Sequence, residues 1–295
     1  MREAISAAPA APAAPQRRRR LHPLLRNRLS LAGLMMVAAL LIVAVFAPAF
    51  ATHDPKAVDL PQRLNPPSAA HWFGTDSAGQ DIYSRVLYAA RLDLSLGLLV
   101  LLTATVTGSV LGLIAGYLGG RADGVIMRLT EVFLAFPGLI LALALVAAVG
   151  SRSMFVVVLA IACRWWAPYA RLVRAQVLVV RHSGYVEAAQ ALGLSNARVL
   201  FRHVAPNCMS PVMVQSTLDL GQIILTAAAL SFIGLGAQPG QPEWGRMVAD
   251  GRDYLRTNWW VATFPGAAIF VTVLGFNLVG DALRDYFDPR LRQTL

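Results

Sequence analysis

Six long runs with almost no charge, at residues 29–50, 94–117, 130–149, 154–169, 211–235 and 257–280, divide this chain and fix most of what it can become. A helix crosses ~30 Å of hydrocarbon with about 20 apolar residues. Each run reaches that length or nearly so, 154–169 being the shortest. Ala49-Phe50-Ala51 imitates a signal-cleavage site. A signal core has only about 7–15 apolar residues, so the first run reads instead as an uncleaved anchor. Composition agrees: 56% of residues are hydrophobic and 14% charged, at a mean hydropathy of +0.55. A soluble domain carries about a quarter charged residues. The expected fold is an all-α polytopic membrane protein with six transmembrane helices.

The net charge of +10 raises the question of nucleic acid. The arginines lie between the apolar runs rather than on one soluble face, so no nucleic-acid partner is expected, and membrane lipid is. With six spans both termini share one side. Of the 26 lysines and arginines, 18 fall in the two tails and in segments 121–128 and 164–202, and the rest in the alternate loops. Positive residues favour the cytoplasmic face, which places both termini there. Residues 1–28, Ala/Pro-rich and then basic through Arg17 to Arg20, cannot bury a core and read as a disordered cytoplasmic tail; 284–295 form a second tail. Trp165-Trp166 and Trp259-Trp260 are expected at membrane interfaces.

Several chemistries are excluded. Lys56, the single lysine, stands in Pro55-Lys56-Ala57. A phosphate-binding loop needs Gly-Lys followed by Ser or Thr, so the chain carries no such nucleotide site. His-Glu-x-x-His and Gly-x-Ser-x-Gly are absent, and no spacing suggests a metal site. His71, His182 and His203 fall in loops and read as solvated side chains. Cys163 and Cys208 read as small buried apolar residues. Neither catalysis nor a bound cofactor is expected of this chain.

Within the runs, Gly108, Gly112 and Gly116 recur at intervals of four on one helix face, where a second backbone can approach closely. Gln215, Asp219 and Gln222 also share a face. An Asp near a helix centre costs about 2.5–3.5 kcal/mol on the insertion scale, so Asp219 should avoid lipid. Two readings stay open for it: the wall of a polar path, or a hydrogen bond to a neighbouring helix. Arg128 and Glu131 are spaced for a local ion pair. The longest polar break is 164–207. There Ser183 is placed to cap a short helix over 184–192 that Gly193 ends, and Ser195 to cap a second over 196–203 that Pro206 stops. Alanines keep the first helix thin, and Glu187 complements its dipole. Such a helix suits docking to a soluble partner; lying on the headgroups is the other reading.

Glu187-Ala188-Ala189-x-x-x-Gly193 followed by Pro206 resembles the coupling loop of binding-protein-dependent ABC importer permeases, with His203 and Ala205 where Ile and Leu are common. The stretch from His71-Trp72-Phe73-Gly74-Thr75-Asp76 through Gly79-Gln80-Asp81 to Ser84-Arg85 and Ala90-Arg91 is similar to the external segment of the peptide and nickel importers; Gln80, Ala89 and Asp93 depart from it. Gly234-Leu235-Gly236-Ala237-Gln238-Pro239 with Pro242-Glu243-Trp244-Gly245 resembles the last external loop of that family. Phe276-Asn277-Leu278 through Gly280-Asp281 and Leu283-Arg284-Asp285 to Asp288-Pro289 resembles its C-terminus. The pattern is closest to the second permease of the dipeptide/oligopeptide group.

This resemblance implies a type I ABC importer permease fold with a cytoplasmic coupling helix: a core at 93–283, a coupling loop at 170–207, and 29–50 with an external segment 51–92 as additions. It implies a second permease as partner, two cytoplasmic ATPase subunits holding ATP and Mg, and an extracytoplasmic substrate-binding protein, in a bacterial cytoplasmic membrane. Tyr185, Glu187, Ala188, Ala189, Gly193, Arg198 and Pro206 would couple to the ATPase. Gln215, Asp219, Gln222 and Asn277 would line the translocation path, and Gln238, Pro239, Glu243 and Trp244 would face the binding protein. The expected cargo is a dipeptide or short oligopeptide, with nickel chelates or glutathione-like peptides as alternatives. An ion-coupled secondary transporter is the competing class. It is disfavoured because only Glu131, near an end, and Asp219 offer carboxylates within the runs, and no internal repeat is visible.

Overall fold

The computed structural model describes residues 27–150 and 153–287. Residues 1–26 of the expected tail, and Asp288-Pro289 with the rest of the C-terminus, lie outside the described residues. The helices are α1 (Arg28–Phe50), α2 (Ile82–Leu118), α3 (Gly120–Ala135), α4 (Gly138–Val149), α5 (Met154–Val180), α6 (Gly184–Ala191), α7 (Asn196–Val199), α8 (Met209–Phe232), α9 (Trp244–Gly251) and α10 (Trp260–Phe287). Among the described residues there is no strand, only an isolated bridge between Thr75 and Asp81. Helices α1, α2, α5, α8 and α10 are long and apolar enough to cross a membrane.

The sixth expected span is broken. α3 and α4 meet at 93° across Phe136 and Pro137. Proline's ring disfavours the helical region for the residue before it, and Phe136 accordingly adopts φ −85°, ψ 136°. Run 130–149 is therefore two helices, and Pro137 caps the second.

Three further boundaries differ from the sequence reading. α5 continues to Val180, well beyond residue 169, because its arginines find partners on neighbouring helix ends. Arg174 donates to Asp123 at 2.7 Å, and Arg181 donates to the Gly116 carbonyl at 3.0 Å. Trp165-Trp166 thus falls mid-helix, with Trp166 buried edge-on against Phe133 rather than marking an interface. α2 starts at Ile82, capped by the Asp81 carboxylate, so the segment expected over 51–92 ends at 81. Pro206 does not stop the helix that begins at Asn196. A π turn over Leu200–Val204 and a 3-10 turn over Ala205–Cys208 lead straight into α8. The proline stands in the first turn of the 3-10 segment, where its missing N–H leaves no helical bond unmade.

α2 and α5 run parallel and form the centre of the bundle through the predicted glycine face. Gly108 lies against Trp166 and Tyr169, Gly112 against Ala170 and Val173, and Gly116 against Val177. α8 packs against α2, α10 against α8, and α1 against α10. α1 leaves Leu31, Met35, Leu41 and Val45 exposed, a surface suited to lipid. One end of the bundle carries residues 51–81 and the connection from α8 to α10. Phe73 stacks on Phe264 at 4.0 Å, and the Trp260 indole donates to the Thr75 carbonyl at 3.3 Å. The other end carries α6 and α7.

Candidate functional site

α6 has two faces. Val186 and Ala189 are buried, whereas Tyr185, Glu187, Ala188 and Gln190 are exposed. Ser183 does not cap it through its side chain: the hydroxyl donates back to the Val180 carbonyl at 2.6 Å, locking the turn out of α5. Its carbonyl still receives the Val186 and Glu187 N–H groups. Ser195 likewise makes no side-chain cap. At the far end Gly193 has φ +78°, its N–H meets the Gln190 carbonyl at 2.9 Å, and the Leu194 N–H meets the Ala189 carbonyl at 3.3 Å. This is a Schellman closure, which favours glycine at the left-handed position. Leu192 is 81% exposed and Phe201 69% exposed on the same end of the molecule. Sequence reasoning missed both, although an unpaired apolar side chain in a polar segment was a readable signal. Arg198 and Pro206 are also exposed. Ala189 faces inward, on the same side of α6 as Val186.

α7 is tied to the bundle. Tyr117 at the end of α2 donates to Asn196 at 3.3 Å, and an open cleft of about 400 Å³ lies between Tyr117, Arg181, Glu187 and Asn196.

Within the bundle, the Gln215 amide donates to Asp219 at 2.8 Å, and Asp219 is 5% exposed. Its second oxygen has no hydrogen-bond partner among the described residues. The Tyr169 hydroxyl lies beside Asp219, Ser216 and Thr105 but completes a bond with none of them. Nε and one terminal nitrogen of Arg164 are also unsatisfied, and its charge faces Asp219. Arg164 and Tyr169 were not among the expected path residues, because the polar break was placed too early along α5. Gln222 is exposed and Asn277 half-buried, so neither joins this cluster. A cavity of about 70 Å³ opens beside Arg164, lined by Gly138, Ile161, Trp165 and Thr226 among others. Ligand pockets are typically about 300–1,000 Å³, so a path here must widen before anything larger than water passes.

Residues 108–293 match the family described as binding-protein-dependent transport system inner membrane component, and residues 16–67 match the N-terminal transmembrane domain of oligopeptide transport permease C. The chain belongs to the binding-protein-dependent transport permeases. It is 48% identical over 262 residues to a probable D,D-dipeptide transport system permease of Escherichia coli K12, covering 89% of this chain and 88% of that protein. A dipeptide transport system permease of Alkalihalophilus pseudofirmus is 43% identical, covering 90% and 88% of the two chains. A glutathione transport system permease of Pectobacterium atrosepticum is 44% identical, covering 91% and 89%.

In this permease the loop after α8 is divided between surface and scaffold. Gln238 and Pro239 are exposed. Glu243 and Trp244, expected to face a binding protein, are 2% and 1% exposed and point inward. Glu243 caps α9, accepting the Gly245 and Arg246 N–H groups at 3.1 and 2.6 Å. Burial outweighs those bonds and pushes its carboxyl up to about 7. The Trp244 backbone N–H donates to Asp93 at 3.1 Å and its indole to the Val86 carbonyl at 3.0 Å. These two residues hold the loop on α2; they are not a docking surface. Next to them an open cavity of about 350 Å³ is lined by Ser77, Arg246, Asp250, Arg252 and Tyr254.

Proposed function

We propose that this permease is one of two membrane subunits of an ATP-driven importer that moves dipeptides or short oligopeptides into the cytoplasm. ATP and Mg are held by two separate ATPase subunits, and a substrate-binding protein delivers cargo on the face carrying residues 51–81. Both termini and α6 are then cytoplasmic, consistent with the distribution of arginine. The observation that carries this reading is α6 itself. An exposed Tyr185, Glu187 and Ala188 surface stands on buried Val186 and Ala189, flanked by unpartnered Leu192 and Phe201. Lone apolar side chains of that size on a rigid helix fit a groove in a soluble protein.

Asp219 and Arg164 place an acidic and a basic side chain in the interior, a pairing that suits the amino and carboxyl ends of a peptide passing between them. The two states of the bundle are biased by ATP through α6, so the ATPase must contact that helix differently in each. Glutathione, itself a tripeptide with two carboxylates, is the second reading, favoured by the 44% identical glutathione permease. Proteoliposomes holding the permease pair, the ATPases and the binding protein test the proposal. Labelled dipeptide should accumulate only with ATP inside and binding protein outside. Uptake driven by an ion gradient without ATPase subunits would refute it.

A further inference from the structure

Three side chains that looked unremarkable in the sequence meet at the 51–81 end. His53 follows α1, His71 lies midway through the connecting segment, and Asp81 caps α2. His71 Nδ1 is 2.9 Å from Asp81 Oδ1, and His53 Nδ1 is 3.8 Å from Asp81 Oδ2. One donor atom from each residue lies within 4.8 Å of the others. The imidazoles face each other with centroids 4.6 Å apart and a tilt of 31°. His71 is therefore not the solvated loop histidine that its place in the sequence suggests.

We propose that His53, His71 and Asp81 bind a divalent transition-metal ion of the Zn²⁺ type, which clips the segment after α1 to the start of α2. The donor set is two imidazoles and one carboxylate, which suits borderline cations; Mg²⁺ and Ca²⁺ take oxygen ligands instead. Ligands about 2.0–2.2 Å from one tetrahedral ion stand roughly 3.3 Å apart. The two separations to Asp81 straddle that value and all three donor atoms lie within 4.8 Å of one another, so closure draws the imidazoles together by side-chain rotation.

The ligands are held before any ion arrives. The Asp81 side chain is 1% exposed, and its Oδ2 accepts the Ser84 N–H at 2.8 Å. The His53 N–H donates to Ser84 Oγ at 3.0 Å, and the His71 N–H donates to Ser68 Oγ at 3.1 Å. The two histidine bonds are made by main-chain N–H groups and fix the backbone from which each ring projects, while the Ser84 N–H holds the carboxylate itself in place. A purely ionic cluster explains the arrangement less well. Both rings turn Nδ1 toward one carboxylate, and two imidazolium cations at this spacing repel each other, whereas one metal ion serves both nitrogens.

Binding exchanges no electrons and no net proton. His71, whose Nδ1–H faces Asp81 in the ion-free arrangement, shifts to its Nε2–H tautomer, and both Nδ1 lone pairs and a carboxylate oxygen coordinate the ion, leaving a fourth position for water. His53 Nδ1 gives up its 2.9 Å contact with the Thr52 hydroxyl. That hydroxyl already lies 3.5 Å from Ser84 Oγ and can turn to it.

The test uses the complete importer complex, purified in detergent and stripped with a chelator. Zn²⁺ is titrated by calorimetry, and Co²⁺ by visible absorption. Wild type is expected to take up one more ion per copy of this chain than the His53→Ala complex, at micromolar concentration, with intense tetrahedral Co²⁺ bands. His53 is 42% exposed on its side chain, so His53→Ala leaves folding intact. His71→Ala should lose affinity by more than the ~10–100-fold typical of second-shell changes, and His182→Ala, at the other end of the bundle, should bind as wild type does. Equal Zn²⁺ uptake by wild type and His53→Ala overturns the proposal, as does a wild type that binds none at micromolar ion.

Discussion

Replacing Gly112 with alanine tests whether the α2–α5 contact is as tight as the structure makes it. The new Cβ would stand 2.5 Å from the Ala170 carbonyl oxygen and 2.8 Å from Val173 Cβ. Ordinary contacts are about 3.3–3.6 Å for carbon to oxygen and about 3.5–4.0 Å for carbon to carbon. The helices must therefore part by roughly 1 Å, and a backbone carbonyl cannot swing aside as a side-chain tip can. Overpacking of this kind costs about 1–3 kcal/mol, and the rigid neighbour puts this site at the upper end. Alanine returns about 1 kcal/mol of helix propensity, leaving a net loss of about 2 kcal/mol. Gly124, inside α3, meets nothing within 4 Å, so Gly124→Ala should gain up to about 1 kcal/mol instead. Reversible unfolding of both variants in mixed micelles measures the difference. One chemical change should thus give effects of opposite sign, about 3 kcal/mol apart. Equal stabilities would refute the close parallel packing of α2 and α5.

Three further outcomes are expected. The folded Glu243 carboxyl lies near 7 against an ordinary 4.5, so the folded state holds that proton more tightly than the unfolded one. Its contribution to stability is fullest below 4.5, declines as pH rises toward about 7 and then levels; Glu243→Gln should reduce that slope in unfolding midpoints measured against pH, leaving the part that belongs to its buried neighbour Asp93, and an unchanged slope contradicts the assignment. Trp244→Ala empties a site only 1% exposed and should cost about 3–5 kcal/mol, read as a lower unfolding midpoint of the purified permease; a shift no larger than that of a surface substitution would contradict its scaffold role. Asp219→Asn keeps the shape and one acceptor for Gln215, so the inserted complex should be recovered in normal amount while peptide uptake falls at least about tenfold if the residue lines the path; undiminished uptake would make Asp219 a packing residue only.

The membrane-spanning character was legible because apolar run length is a direct consequence of bilayer thickness. The Gly108, Gly112 and Gly116 face was legible for a similar reason: small residues four apart can serve only close approach. Gly193 was readable as a helix stop because its positive φ is a local requirement. Boundaries failed where a distant partner decided them. Nothing near Arg174 or Arg181 in sequence announces that Asp123 and the Gly116 carbonyl will satisfy them and let α5 continue. Pro206 was misread because a proline's effect depends on the turn it enters, and it stands in the first turn of a 3-10 segment that continues into α8. Glu243 and Trp244 were matched to the right loop but given the wrong direction, since only Asp93 and Val86, some 150 residues earlier, draw Trp244 inward.

The central claim is that the exposed face of α6 is gripped by an ATPase and moves the bundle. Cysteine placed at Ala188, in a background with Cys163 and Cys208 replaced, and cross-linked in the reconstituted importer, tests it most directly. The account expects the ATPase subunit to be captured, in a yield that changes with the nucleotide bound, and peptide uptake to stop when the cross-link forms and to resume when it is reduced. Failure to capture the ATPase from Ala188, Tyr185 or Leu192, or full uptake with the link in place, would contradict it.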